Sequence, residues 1–109
     1  MRNLTPHAIA VSIAGVVNTI QPSGIIARVT TSEESVGVCS VTGAPIVRRS
    51  FGDVEYIGSP SDGPCLVCSL VLSALGSEWR GIAFAPDTGE TALRNEKGHV
   101  IAVTRLVTV

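Results

Sequence analysis

Ala8-Ile9-Ala10-Val11-Ser12-Ile13-Ala14-Gly15-Val16-Val17-Asn18-Thr19-Ile20 is the stretch that decides the fold. Ile9, Val11 and Ile13 alternate with Ala8, Ala10 and Ser12. A period of two puts the larger apolar groups on one face of a half-buried strand. Val16–Ile20 follows as a second strand after Ala14-Gly15. The pair therefore reads as a hairpin, although its turn is not the favoured Asn-Gly.

The same pattern recurs along the chain. Gln21-Pro22-Ser23-Gly24 is a turn, with Pro and Gly where a tight turn wants them. Residues 25–31 form the next strand, and Ser32-Glu33-Glu34-Ser35 reads as a polar loop. Strands are predicted over 36–41, 45–51 and 52–57, with Gly43 in a hairpin loop between the first two. Two prolines and two glycines make 58–64 a loop. Cys65–Cys68 is a short apolar strand, and residues 69–76 form the one helix, capped by Ser69 and closed by Gly76. Gly81–Ala85 and His99–Val109 are the last strands. Both faces of the latter are apolar, as in a central strand covered on both sides or a strand at a subunit interface. The fold class is mainly β (α+β): a small antiparallel β-barrel or sandwich of about seven to nine short strands with one short helix. The 109 residues make one domain, 1–109.

Composition narrows the function classes. The chain is 45% hydrophobic and 16% charged, which is globular and not disordered. A net charge of −1 argues against general nucleic-acid or membrane-surface binding. No run of residues is long enough to span a membrane, and the Arg2-led apolar run Ala8–Val17 lacks a clear cleavage site. A cytoplasmic protein is expected. The cysteines, Cys39, Cys65 and Cys68, are odd in number, as in a reducing compartment. Cys65-Leu66-Val67-Cys68 has no second ligand pair to complete a zinc site, so the cysteines read as buried small hydrophobes. Every basic residue except Lys97 is arginine, the side chain suited to bidentate recognition of carboxylate or phosphate.

Ala85-Pro86-Asp87-Thr88-Gly89-Glu90-Thr91-Ala92-Leu93-Arg94 is the richest stretch for chemistry. Polar, glycine-bearing loops between apolar strands commonly carry function. Asp-Thr-Gly is the signature of aspartic proteases, but only 20 residues follow Gly89, too few for the flap and second apolar strand of such an enzyme. No nucleophile elbow, P-loop or dinucleotide fingerprint is present, so no catalytic residue is assigned. His7 and His99 lie at opposite ends of the chain and give no metal spacing, so no metal or cofactor is expected. What remains is a small anionic ligand. Arg94, Thr88, Gly89 and Thr91 offer a guanidinium, hydroxyls and backbone amides, and Asp87 is counted with them as ligand-binding. His7 joins them if the terminal strands pair. Arg28, which interrupts an apolar strand, and Trp79, a stacking platform or a core residue, complete the candidate set. The competing reading has Asp87 and Thr88 bonding their own turn while Arg94 pairs with Glu90 or Glu96.

Asn3-Leu4-Thr5-Pro6-His7-Ala8, Pro22-Ser23-Gly24-Ile25-Ile26-Ala27-Arg28-Val29, and Ala85-Pro86-Asp87-Thr88-Gly89 through Arg105-Leu106 resemble short bacteriophage and prophage proteins of uncharacterised function. The resemblance spans nearly the whole chain but leaves the centre, with Cys65–Cys68, unmatched. It supplies no catalytic residues. It implies a bacterial host cytosol and a non-enzymatic role. Small phage proteins of this kind include assembly accessories and inhibitors of host defence. Some of the latter hold nucleotide-like signals in pockets formed by homo-oligomers. A phage structural or protein-interaction module is the alternative, and a small hydrolase using Asp87 and a histidine is a second one.

Overall fold

In a computed structural model, which describes residues 1–109, the chain enters a sheet at its second residue. β1 (Arg2–Asn3) is followed by the hairpin of β2 (Ile9–Ile13) and β3 (Val16–Ile20). Ile9 pairs with Ile20 and Ile13 with Val16, as the alternation predicts. Ala14 and Gly15 both take positive φ, 51° and 82°. That twist lets two residues join the strands directly. Glycine adopts it freely; for Ala14 it costs about 1–2 kcal/mol.

β4 (Arg28–Val38) and β5 (Pro45–Glu55) form a second, much longer antiparallel hairpin. β6 (Cys65–Leu66), α1 (Ser69–Ala74) and β7 (Ala83–Pro86) come next, then β8 (Leu93–Arg94), β9 (Val100–Ala102) and β10 (Leu106–Thr108). Four of these strands make the central sheet, in the order β1-β6-β7-β10. β6 runs parallel to both β1 and β7, while β7 and β10 are antiparallel. Parallel neighbours need a crossover of about a dozen residues, usually helical. α1 lies in the crossover from β6 to β7, which explains why the only helix falls there.

The core collects under this sheet and helix. Cys65, Val67, Val71, Ala83 and Ala85 are almost wholly buried, and Trp79 packs with them. Ser77–Trp79 is a 3-10 turn, and Trp79 is 5% exposed, so it serves as core and offers no stacking surface.

The chain is mainly β, as expected, but several details differ. There are ten strands, several only two residues long, and the central sheet mixes parallel with antiparallel pairs. The other pairs are separate two-stranded units, and no closed barrel forms. Ser32–Ser35 is strand, not loop, because Glu33 and Glu34 find Arg49 and Arg48 directly across the ladder. Residues 45–57 are not two strands but one, ending at Glu55. α1 stops at Ala74, and Cys68, not Ser69, is its N-cap, with no side-chain cap bond. The run 99–109 breaks at Thr104-Arg105, so β9 joins β8 and β10 joins the central sheet. It is therefore not a central strand covered on both sides, and Ile101 stays 57% exposed. Of the cysteines only Cys65 is buried; Cys68 is exposed and Cys39 lies partly exposed near the tip of the long hairpin.

The molecule is open for its size. Only 15 of 109 residues are buried. The radius of gyration is 16.5 Å, against about 13 Å for a compact domain of this length. The accessible surface is 7072 Å², and a compact monomer of this mass exposes ~5,700 Å². The surplus comes largely from the β4–β5 hairpin. Its base is fastened to the core through Val29 and Val54, whereas residues 31–51 project beyond it with every residue at least partly exposed.

Candidate functional site

Two features of the chain have the makings of a site: the Pro86–Arg94 loop and the projecting hairpin. The loop begins where β7 ends. Asp87 Oδ1 accepts a hydrogen bond from the Gly89 amide at 3.0 Å, and the Arg105 side chain donates to Asp87 Oδ2. The Asp87 amide in turn donates to the Arg105 carbonyl at 3.2 Å. The Arg105 bond, aided by the Gly89 amide, lowers the Asp87 pKa below its ordinary value. The Thr91 hydroxyl faces the same carboxylate but outside hydrogen-bonding geometry. It is buried without a partner and influences Asp87 least. A Cβ on Gly89 would crowd Asp87 Oδ1 at 3.2 Å, so this tight turn suits glycine.

Arg94 closes the loop from the other side. Its guanidinium donates to the Thr88 carbonyl at 2.7 Å and the Gly98 carbonyl at 2.8 Å. The expected pairing with Glu90 or Glu96 does not occur. Thr104 Oγ1 donates to the Thr91 carbonyl at 2.8 Å, which ties the loop to the segment between β9 and β10. Asp87, Thr88, Gly89, Thr91 and Arg94 are therefore together, as predicted. Their polar groups are directed largely at each other and at the backbone.

His7 and Thr88 line a common cleft of about 280 Å³ with Pro86 and Ile101. A second hollow beside it adds Thr5 and Ser69. His7 reaches the loop as expected, because the N-terminal strand that follows it meets the C-terminal run: Ser12 N donates to the Val103 carbonyl and Val103 N to the Ala10 carbonyl. β1 pairs with β6, and β2 meets Val103 through a short parallel bridge. The cleft is apolar, smaller than most ligand pockets, and no arginine lines it. Arg28 sits in a separate shallow depression with Ile25 and Tyr56. Trp79 borders a hollow whose charged residues are Asp53 and Glu78, the wrong sign for an anion. Arg28 and Trp79 are thus not brought to the loop. No group of histidine, cysteine, aspartate and glutamate side chains is arranged to hold a metal.

The opening motif proves to be structural. Asn3 is 1% exposed; its Nδ2 donates to the His7 and Ile20 carbonyls at 2.8 and 2.9 Å. Its Oδ1 accepts from the Thr5 amide at 3.0 Å and the Thr5 hydroxyl at 2.6 Å. All four hydrogen-bonding positions of the side chain are filled. This knot fixes where the first hairpin leaves the central sheet. An asparagine two residues before a threonine is the ordinary signal for such a turn.

The projecting hairpin is the feature that the residues did not announce. Its ladder pairs Thr31 with Phe51, Glu33 with Arg49, Glu34 with Arg48 and Ser35 with Val47. Alternation puts Phe51, Arg49 and Val47 on one face and Ser50, Arg48 and Ile46 on the other. The first face continues, past the core, the side on which Val29 packs. Exposed apolar groups stand along it, Phe51 at 42% and Val38 at 65%. Neither outer edge has a neighbouring strand. The Thr42 hydroxyl and nearby backbone amides lower the pKa of the Cys39 thiol near the tip.

Compared with family models, curated proteins and solved structures, the chain matches none. No helix is long and apolar enough to cross a membrane.

Proposed function

We propose that this protein is a self-assembling structural or interaction module whose long hairpin is the arm by which copies grip one another. The observation that carries this is the unsupported arm. A two-stranded hairpin alone is marginal in water. This one has eleven-residue strands, which span about 35 Å, and the core supports only its base. The surplus of roughly 1,300 Å² over a compact monomer is of the size that specific interfaces bury. The resemblance of the chain's ends to short phage and prophage proteins supports a part in phage assembly, or in contact with a host protein in the cytosol. Native mass spectrometry at micromolar concentration tests the reading. Oligomers are expected, and a monomer at every concentration would sink it.

The sequestering of a small anionic, nucleotide-like ligand ranks second. Its support is the clustering of Thr88, Gly89, Thr91 and Arg94 beside the His7 cleft. Against it, Arg94 is engaged by two carbonyls and neither arginine nor lysine lines the cleft. Calorimetry against a nucleotide panel decides, with loss of binding in Arg94→Ala as the expected signature. A hydrolase has least support: Asp87 is paired with Arg105, and no histidine bonds to it.

A further inference from the structure

We infer that the arms join head to tail, with β4 of one copy against β5 of the next, so that the copies close a ring of three or more around a shared sheet. This rests on the self-assembly reading and adds the geometry of the contact.

The charges of the arm select that arrangement. β4 carries Glu33-Glu34 and no cation beyond Arg28 at its base. β5 carries Arg48-Arg49, with Asp53 and Glu55 only at its base. Within one hairpin the pairs are Arg49–Glu33 at 3.1 Å and Arg48–Glu34 at 3.7 Å. All four side chains are about half exposed or more, and such exposed pairs add little to a monomer. Their value lies at the edges. A two-fold contact of β4 with β4 centred on this segment would bring four carboxylates together. The same contact of β5 with β5 would bring together four guanidinium groups. Only β4 against β5 sets acid beside base on both neighbours, and opposite charges across strands attract while like charges repel.

Strand direction agrees. β4 runs out to the tip and β5 returns. Arms projecting the same way therefore present antiparallel edges to one another, the pairing that extends a sheet. The contact uses different surfaces on the two partners, so it cannot close as a two-fold dimer. It closes as a ring if the rotation permits. The face with Val38, Val47 and Phe51, which also carries the Arg49–Glu33 pair, then lies on one side of a continuous sheet. The β5 edge is open to a partner along the charged segment, because its only proline, Pro45, stands at its start.

Cross-linking between chains tests this. Glu34→Cys and Arg48→Cys are placed on separate chains, one with a mass tag, both in a Cys39→Ser, Cys68→Ser background. The two are co-expressed and treated with a short bifunctional maleimide. Linkage of tagged to untagged chains is expected from the pair, with little from either variant alone. Linkage of Glu34→Cys chains to themselves, or of Arg48→Cys chains to themselves, would overturn the arrangement. So would an oligomer in native mass spectra that none of these cross-links captures; the assembly reading would then survive and this one would not. A monomer in those spectra would end both. As a second arm, Glu33→Lys with Glu34→Lys should weaken assembly about tenfold or more. Co-expression with an Arg48→Glu, Arg49→Glu chain should restore it, fully where the copies alternate in a ring of even number and in part where the number is odd. Assembly unaffected by the lysines would count against the inference.

Discussion

Single side chains carry two different kinds of work in this molecule. Asp87 is held ionised by Arg105 and the Gly89 amide, so its carboxyl is more acidic folded than unfolded. Such a group adds stability above its unfolded pKa, about 3.9, and that contribution is lost as pH falls through the folded value. Chemical denaturation followed from about pH 6 down to about pH 2 should show the native protein losing stability more steeply than Asp87→Asn; equal slopes would mean that the pair contributes nothing. Asn3 works without charge. Asn3→Ala takes the Asn3 side-chain bond from the buried Thr5 amide and the partly buried Ile20 carbonyl, while the His7 carbonyl keeps the Thr5 hydroxyl, and should cost about 2 kcal/mol, read as a drop in thermal midpoint. Local signals were legible at this scale. An aspartate two residues before a glycine announces a turn that bonds to itself, and the Asp87–Gly89 bond is that turn. The partners of Arg94 were not legible, because a backbone carbonyl has no signature in the sequence. Trp79 was open to two readings until its burial chose one.

At the scale of elements, the first hairpin and the helix were written in neighbouring residues. Period-two alternation and a two-residue gap suffice for β2 and β3. The turn between them still holds Ala14 at positive φ. Ala14→Asn should therefore stabilise the protein by about 1 kcal/mol, a rise of several degrees in thermal midpoint; a fall would show that the turn is constrained by something other than its own backbone. The long hairpin was legible only in pieces. Ser32-Glu33-Glu34-Ser35 has the composition of a loop, and nothing within four residues contradicts that. Its strand conformation depends on Arg48 and Arg49, about fifteen residues further along the chain. The final run misled for the opposite reason. Its apolar alternation is continuous through His99–Val109, but Thr104 and Arg105 are drawn aside by Thr91 and Asp87, and the strand divides.

The whole molecule combines a small core with a large projection, and the two should be separable. Replacing Thr31–Phe51 by a two-residue Asn-Gly turn removes the arm but keeps Val29 and Val54, which pack on the core. This variant should remain folded, with unchanged near-ultraviolet circular dichroism, and run as a monomer in sedimentation velocity. An oligomer formed by this variant would place contacts between copies elsewhere than on the arm. Charge balance and composition, though correct in excluding a polycation, said nothing about this shape. Compactness depends on which distant segments meet. Parallel pairing of β1 with β6 joins residues 2 and 65, a contact with no local trace.

That pairing also sets an order of events during synthesis. At about 5–20 residues per second, β1 leaves the ribosome several seconds before its β6 partner exists. Isolated hairpins form in about 1–10 μs. The arm, complete by Glu55, can therefore be shaped while the central sheet still lacks most of its strands. Neighbouring nascent chains on one message would meet arm first. If the arms join as proposed, the route to assembly would depend on translation spacing as well as on concentration.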